Sequence, residues 1–532
     1  MSIYNLSRLC YDENKTAWEV ITMEKRQIIN IVNFIRDCEP RDSVDLVLTV
    51  RKEIELMQQY GLRGTFLLQY DALIDPVYTD MLKALDPSQF EFGVWFEVVQ
   101  PLVETVGLPW RGRFPWDWHV HCGFSMGYTK QQREQLLDEL YGKFREIFGY
   151  YPRVFGSWFF DSHTARYVSN KYGVDAFCNC KEQYGTDGYT LWGGYYGQGY
   201  YPSRTNVFLP AQSEANQIPA PLFRMLGSDP VYQYDWGMSA ESGARDIQEV
   251  ITLEPAYGAA GGGVPAWVDW YMKENFNGES LSFGYAQAGQ ENSFPWETIK
   301  DGLRYQFPLF AKLQAEGKIV VEPLGETGRW YKKTYPVTPA SAITAHTAWD
   351  DPEKKSVWYC SRYYRVNLYA DRNGLRIRDL HIFREDQPDP YEDQVCTRNE
   401  ATYEALPVMD GNVFSGNGII AGTYPMGPDG APFAPEDFRF TQTGPNSALV
   451  DFGSIRFTLM ESGMKITADT DFTMEAHIGK TDRHFPALVS CDTSSLQLRY
   501  CDMDYSIRLT SGSFDGPGRI CSEDGNITLS FT

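Results

Sequence analysis

The first 320 residues alternate between short runs that are apolar throughout and longer runs that are apolar on one side only. Gln27–Ile35 (QIINIVNFI) and Gly64–Tyr70 (GTFLLQY) are of the first kind, as expected of strands buried on both faces. Between them, residues 43–60 place Val44, Val47, Leu48, Ile54 and Met57 on roughly one side of a helix that Gly61 closes. The rhythm continues. A helix over 76–85 leads to a strand at Phe90–Val98. A helix over 130–148 leads to Arg153–Phe160, and one over 162–172, stopped by Gly173, leads to Asp175–Cys178. Leu222–Leu226 and residues 281–286 read as further strands. A helix over 296–316 and a short strand at Lys318–Val321 close the series. Strands joined in this way run parallel, with the helices as crossovers. Seven or eight such units predict an α/β fold, a distorted (β/α)7-8 barrel.

Around 330–350 the pattern changes. Pro336, Pro339 and a Ser/Thr/Ala run read as a connection. Beyond it come short alternating segments separated by turn residues, among them Gly374–Phe383, Phe438–Phe452 and Tyr505–Leu509. They predict an antiparallel β-sandwich. We therefore expect a barrel over residues 1–330 and an accessory β-sandwich over 331–532, since a 532-residue chain exceeds one ordinary core.

Charge narrows the partners. A net charge of -22 repels nucleic acid and anionic membrane, and no apolar run reaches membrane-spanning length. The first residues, MSIYNLSRLCYDENK, lack an apolar signal core, which favours the cytoplasm. The ten cysteines are scattered and form no C-x-x-C pair, so reduced thiols are expected rather than a disulfide scaffold or structural zinc. Oligomeric state is not readable from the sequence.

Two stretches are too aromatic to be linkers. One, Gln100–Tyr128, contains WRGRFPWDWHVHCGFSMGY. The other, Lys181–Arg204, is dense in Tyr, Trp and Gly. Loops at strand ends are where sites are built, and flat rings suit sugar stacking. Asp71, Glu97, Asp161 and Glu291 each follow a predicted strand at its C-terminal end. In a barrel these ends converge on one mouth. Glycoside hydrolysis needs two carboxyls, one protonated and one ionised, and the sequence does not choose the pair. Asp161 is also placed to cap the helix that follows it. The candidate substrate contacts are Arg36, Trp95, Trp118, His119, His121, Lys181, Asp187, Trp192, Tyr195, Asp229 and Gln290. His119 and His121 share one face of an extended chain and, with Asp117, could hold a divalent metal. Cys178 and Cys180 are expected to be inert packing.

The segments LRGTFLLQYDAL, FEFGVWFEV and FGYYPRVFGSWFFDSHT resemble the glycoside hydrolase/deacetylase superfamily, whose members use a distorted seven-stranded α/β barrel. NFIR, WRGRFPWDWH, CNCKEQYGTDGYTLWGG and GQENSF together resemble more closely an uncharacterised Bacteroidetes-type glycoside hydrolase/deacetylase family with a C-terminal β domain. The resemblance covers roughly residues 20–330 and implies a carbohydrate substrate. The chain departs from the metal-dependent members, which carry a paired-Asp turn after the first strand and a His-x-x-x-His pair. Here the first strand ends in Arg36-Asp37 and no such His pair exists. Glycoside hydrolysis is thus the first expectation. Metal-dependent deacetylation and glycan binding without turnover are the alternatives.

Overall fold

The computed structural model describes residues 25–237, 248, 250–434, 437–482 and 484–531. The N-terminal stretch used above to argue location lies outside them. No described helix is long and apolar enough to cross a membrane.

The first half is built on parallel strands: β1 (Gln27–Ile35), β2 (Gly64–Leu68), β3 (Phe90–Trp95), β4 (Val154–Gly156) and β5 (Ala176–Asn179). It adds β6 (Tyr189–Trp192), β7 (Gly199–Tyr200), β8 (Leu222–Arg224), β9 (Gly284–Ala288) and β10 (Val320–Val321). β1 lies at the centre, with β2 beside its upper half, β10 beside its lower half and β9 on its other edge. From β2 the sheet runs through β3, β4 and β5 to β8. The helices between strands carry local stop and start signals. Thr129 and Gln132 cap the helix Lys130–Phe148 reciprocally, and Gly149 ends it at φ +84°.

A closed barrel was expected, and the sheet is instead curled and open. The free edge of β8 is taken by β7, which pairs antiparallel through Gly199↔Phe223 and Tyr200↔Leu222. β9 therefore finds no backbone partner there. Side chains span the gap. Gln198 Nε2 donates to the Phe283 carbonyl at 2.6 Å, and the Phe223 and Tyr285 rings lie 5.0 Å apart.

Among the described residues the second half forms two antiparallel sheets, of nine and eight strands. In the eight-stranded sheet burial alternates residue by residue, as in Ile455–Met460, the signature of one face on a core. An apolar cavity between the sheets is lined from both, for example by Ile377 and Met474 on one side and Ile466 and Leu529 on the other.

The halves are joined through the aromatic loop. Strand Ala401–Glu404 pairs in parallel with β6, which belongs to that loop. Beneath it lies a buried ionic cluster. Arg365 Nη2 binds Glu182 at 3.1 Å and Asp379 at 2.7 Å, and its Nη1 contacts both Glu182 and the Gly194 carbonyl. The Trp192 indole N–H donates to Asp410 at 2.6 Å. Burying such charges is tolerable only while they are matched. Arg365→Met should leave Glu182 and Asp379 uncompensated and cost about 3–5 kcal/mol, read as a lower urea midpoint with an unchanged slope.

Candidate active site

The strand register assembles the site. Arg36 follows the end of β1, and Glu97 stands two residues beyond β3. Glu291 forms a parallel bridge with Phe34 just beyond β9. Gly289 makes that approach feasible. Its φ is +112°, and a Cβ there would meet the Val32 carbonyl oxygen at 2.1 Å. Asn292 then locks the register, accepting from the Arg36 backbone N–H at 2.9 Å and donating to its carbonyl at 2.8 Å.

At the mouth lies a pocket of about 300 Å3 of empty volume, part of it open to solvent. Arg36, Glu97, Trp118, Asp187 and Glu291 line it, together with Arg41, Trp116, Phe124, Trp158 and Tyr189. Five of the residues singled out from the sequence thus meet in one place. Arg36 is at its centre and is 1% exposed. One of its nitrogens, Nη2, lies 3.1 Å from Glu97 Oε2 and 2.7 Å from Glu291 Oε2. Because both contacts share that nitrogen, the two oxygens are no more than the sum, 5.8 Å, apart. The guanidinium also lies 4.1 Å from the Trp116 ring centre, an attraction that strengthens when water is excluded. Burial works against the charged guanidinium, but Glu291 and then Glu97 raise its pKa above the ordinary value.

Glu97 differs from an ordinary carboxylate. Its Oε2 accepts from the Trp95 indole at 2.8 Å, whereas Oε1 is buried with no hydrogen-bond partner among the described residues. Burial pushes its pKa up to about 7 despite Arg36 and Trp95, and Glu291 pushes the same way. Trp95 was expected to stack on substrate. It lies beneath the pocket, fully buried and stacked on Phe34 at 4.0 Å, and orients Glu97 through its N–H.

The remaining sequence candidates lie around or away from this pocket. Gln290 is buried behind it and holds Glu291. Its Oε1 accepts from the Glu291 N–H at 2.7 Å, and its Nε2 donates to Glu254 at 3.2 Å. Asp71 is bonded to the backbone N–H groups of Asp37 and Ala72, and burial raises its pKa to about 6. Asp161 is the helix cap. It accepts from Thr164 and Ser125 and pairs with Arg133 at 2.8 Å. Asp229 is fully buried and bonded to the Trp267 indole and two backbone N–H groups. Trp192 is buried, stacked on Tyr234 at 5.1 Å. Lys181 and Tyr195 line a second cavity.

His119 and His121 lie within the Gln100–Tyr128 insertion, with ring centres 5.9 Å apart. Asp117, 3.7 Å from His119, is held by both ends of Arg113. Among the described residues no group of three or more His, Cys, Asp or Glu is arranged to hold a metal ion. A guanidinium, not a ligand set, stands at the centre of the mouth. These residues do not fit the divalent metal that deacetylation of the metal-dependent kind requires.

Sequence reasoning overlooked Glu254, Arg41, Trp116 and Trp158. Glu254 is buried beside Gln290 and Lys181, and burial raises its pKa to about 7. It sits in an irregular segment, where no strand end marks it. Trp116 lay in plain view beside Trp118 in the sequence PWDW.

No family model and no curated protein matches the chain. Solved structures do. A crystal structure from Parabacteroides distasonis, named as a candidate glycoside hydrolase/deacetylase, aligns with TM-score 0.55 at 16% identity, over 73% of this chain and 92% of that one. The likeness establishes the fold. It spans more residues than the curled-sheet half contains, so it reaches into the antiparallel region. Two others, named as candidate polysaccharide deacetylases from Mycobacterium smegmatis and Pseudomonas aeruginosa PAO1, align with TM-score 0.35. Their identities are 12% and 11%, each over 59% of this chain and 93% of the other.

Glu97 is a liability to folding at alkaline pH. Its carboxyl ionises near 4.5 in the unfolded chain and near 7 when folded. The stability present below pH 4.5 is therefore lost as pH rises through 7. Glu97→Gln keeps an acceptor for Trp95 and removes the titration. At pH 8 it should be more stable than wild type by about 3 kcal/mol, and near pH 4 the two should agree in chemical denaturation.

Proposed function

We propose that the chain is a carbohydrate-active hydrolase that cleaves glycosidic bonds at the mouth of the curled sheet, with Glu97 as general acid and Glu291 as nucleophile. The observation that carries this is one guanidinium nitrogen shared by two carboxyls in an aromatic-walled pocket. Glycosidases need two carboxyls held in opposite protonation states. Burial favours the protonated form of Glu97, and its Oε1 has no hydrogen-bond partner among the described residues to compete for that proton. Glu291 lies 2.7 Å from the Arg36 guanidinium, which orients it as the attacking group.

In the first step Glu97 gives its proton to the leaving glycosidic oxygen, and the C–O bond breaks. Glu291 attacks the anomeric carbon to form a glycosyl ester. In the second step Glu97, now a carboxylate, takes a proton from water, whose oxygen attacks the same carbon and releases Glu291. The separation limit of 5.8 Å supports this retaining route, because retaining enzymes hold the carboxyls about 5–5.5 Å apart and inverting ones about 6.5–9.5 Å. Trp118, Trp158 and Tyr189 offer faces for the sugar ring. Asp187, whose backbone is left-handed at φ +54°, offers a hydroxyl partner at the rim.

The test is a leaving-group series of aryl glycosides across several sugars. Glu97→Gln should lose about 10^2–10^4-fold with poor leaving groups and far less with dinitrophenyl ones, which depart unprotonated. Glu291→Gln should fail with all of them. Wild-type kcat/KM should fall as pH rises through about 7, following ionisation of Glu97, and the Gln variant should lack that limb. Undiminished activity in both variants would refute the assignment. Binding without turnover in wild type would leave the pocket a glycan receptor.

A further inference from the structure

The second cavity lies beneath the aromatic loop, between the turn that follows β5, β8 and the strand Ser341–Ala345. It holds about 360 Å3 of empty volume, including space open to solvent. Two cations line it, Lys181 at 2% exposure and Arg224 at 3%. Arg224 Nε donates to the Cys180 carbonyl at 2.7 Å and Nη1 to the Tyr195 carbonyl at 3.2 Å, but buried Nη2 has no hydrogen-bond partner among the described residues. Lys181 Nζ donates to the Glu182 carbonyl at 3.2 Å, which leaves two of its three donor directions without a bond given by the structure.

The acids nearby are committed elsewhere. Glu182 also lines the cavity, but its carboxylate is bound by Arg365 and by the Gly193 N–H at 3.1 Å. Asp379 serves Arg365 and His381. Glu254 accepts from Thr252 and Gln290. Two buried cations therefore face one cavity: burial lowers the pKa of both, and Arg224 lowers that of Lys181 further. Unmatched buried charge is costly, and among the described residues no carboxylate forms an ion pair with Lys181 or Arg224; Glu254 and Glu182 act on Lys181, and Glu182 on Arg224, only at longer range.

We propose that this cavity is a binding site for a small monovalent anion, halide or carboxylate, held between Arg224 Nη2 and Lys181 Nζ. The remaining wall is aromatic and aliphatic, with Tyr195, Tyr196, Tyr271 and Ile343. It excludes a large hydrated anion and strengthens the charge–charge attraction. The site is separate from the carboxyl pair at the mouth. It belongs to the core that fixes the aromatic loop, so its occupancy should show as stability.

The experiment uses the full chain in gluconate buffer at constant ionic strength, with chloride or acetate replacing gluconate. Either anion should raise the wild-type melting midpoint by roughly 2–4 °C, and comparing the two tells halide from carboxylate. Arg224→Met should fold and lose the shift. Crystals soaked in bromide should show anomalous density within hydrogen-bonding reach of both nitrogens, a result that does not depend on any variant folding. An unshifted midpoint with both anions, no bromide at the cavity, or a full shift in folded Arg224→Met would overturn the proposal.

Discussion

The mouth of this protein is organised by one buried guanidinium. Arg36 extends from the strand at the centre of the sheet and reaches carboxyls contributed by the two strands that flank the pocket. Glu291 supplies a counter-charge and the Glu97 carboxyl a second acceptor, so Arg36 can be buried. In return it fixes two acids that lie almost 200 residues apart in sequence. Those acids are not equivalent. Trp95 and Arg36 share a single oxygen of Glu97, and burial wins over both. Glu291 has the shorter contact with the cation. This asymmetry, rather than the mere presence of acids, is what the proposed acid and nucleophile roles rest on.

The second half of the chain acts on the mouth through the aromatic loop. Strand Ala401–Glu404 pairs with β6, and β6 begins with Tyr189, a wall of the pocket. Arg365 and Asp410 hold the loop from below. The antiparallel half thus supplies the support that sets where Tyr189 and Asp187 stand. It does not supply the acids.

What was legible in the sequence was what local chemistry decides. Helices 130–148 and 162–172 carry their own caps, Thr129 with Gln132 and Asp161, and their own glycine stops, so their bounds could be read directly. Glu97 and Glu291 were legible because parallel strands bring their C-terminal ends to one side. The rest was set by distant partners. Trp192, Lys181 and Tyr195 looked like pocket residues because the loop is Gly-rich and aromatic. Their surroundings come from residues such as Asp410 and Pro339, far along the chain. The open sheet was hidden because a two-residue strand, β7, blocks closure. Glu254 was hidden because no periodic element surrounds it.

The protonation state of Glu97 tests this account most directly, and it requires no knowledge of the sugar. Carboxyl 13C chemical shifts in protein labelled at glutamate can be followed from pH 4 to pH 9, with Glu97→Gln identifying the signal. The account predicts a carboxyl that titrates near pH 7 in wild type and is missing from the variant. If the Glu97 signal instead titrates near 4.5, as it would in water, the buried acid is already ionised at neutral pH and the division of roles at the mouth is contradicted.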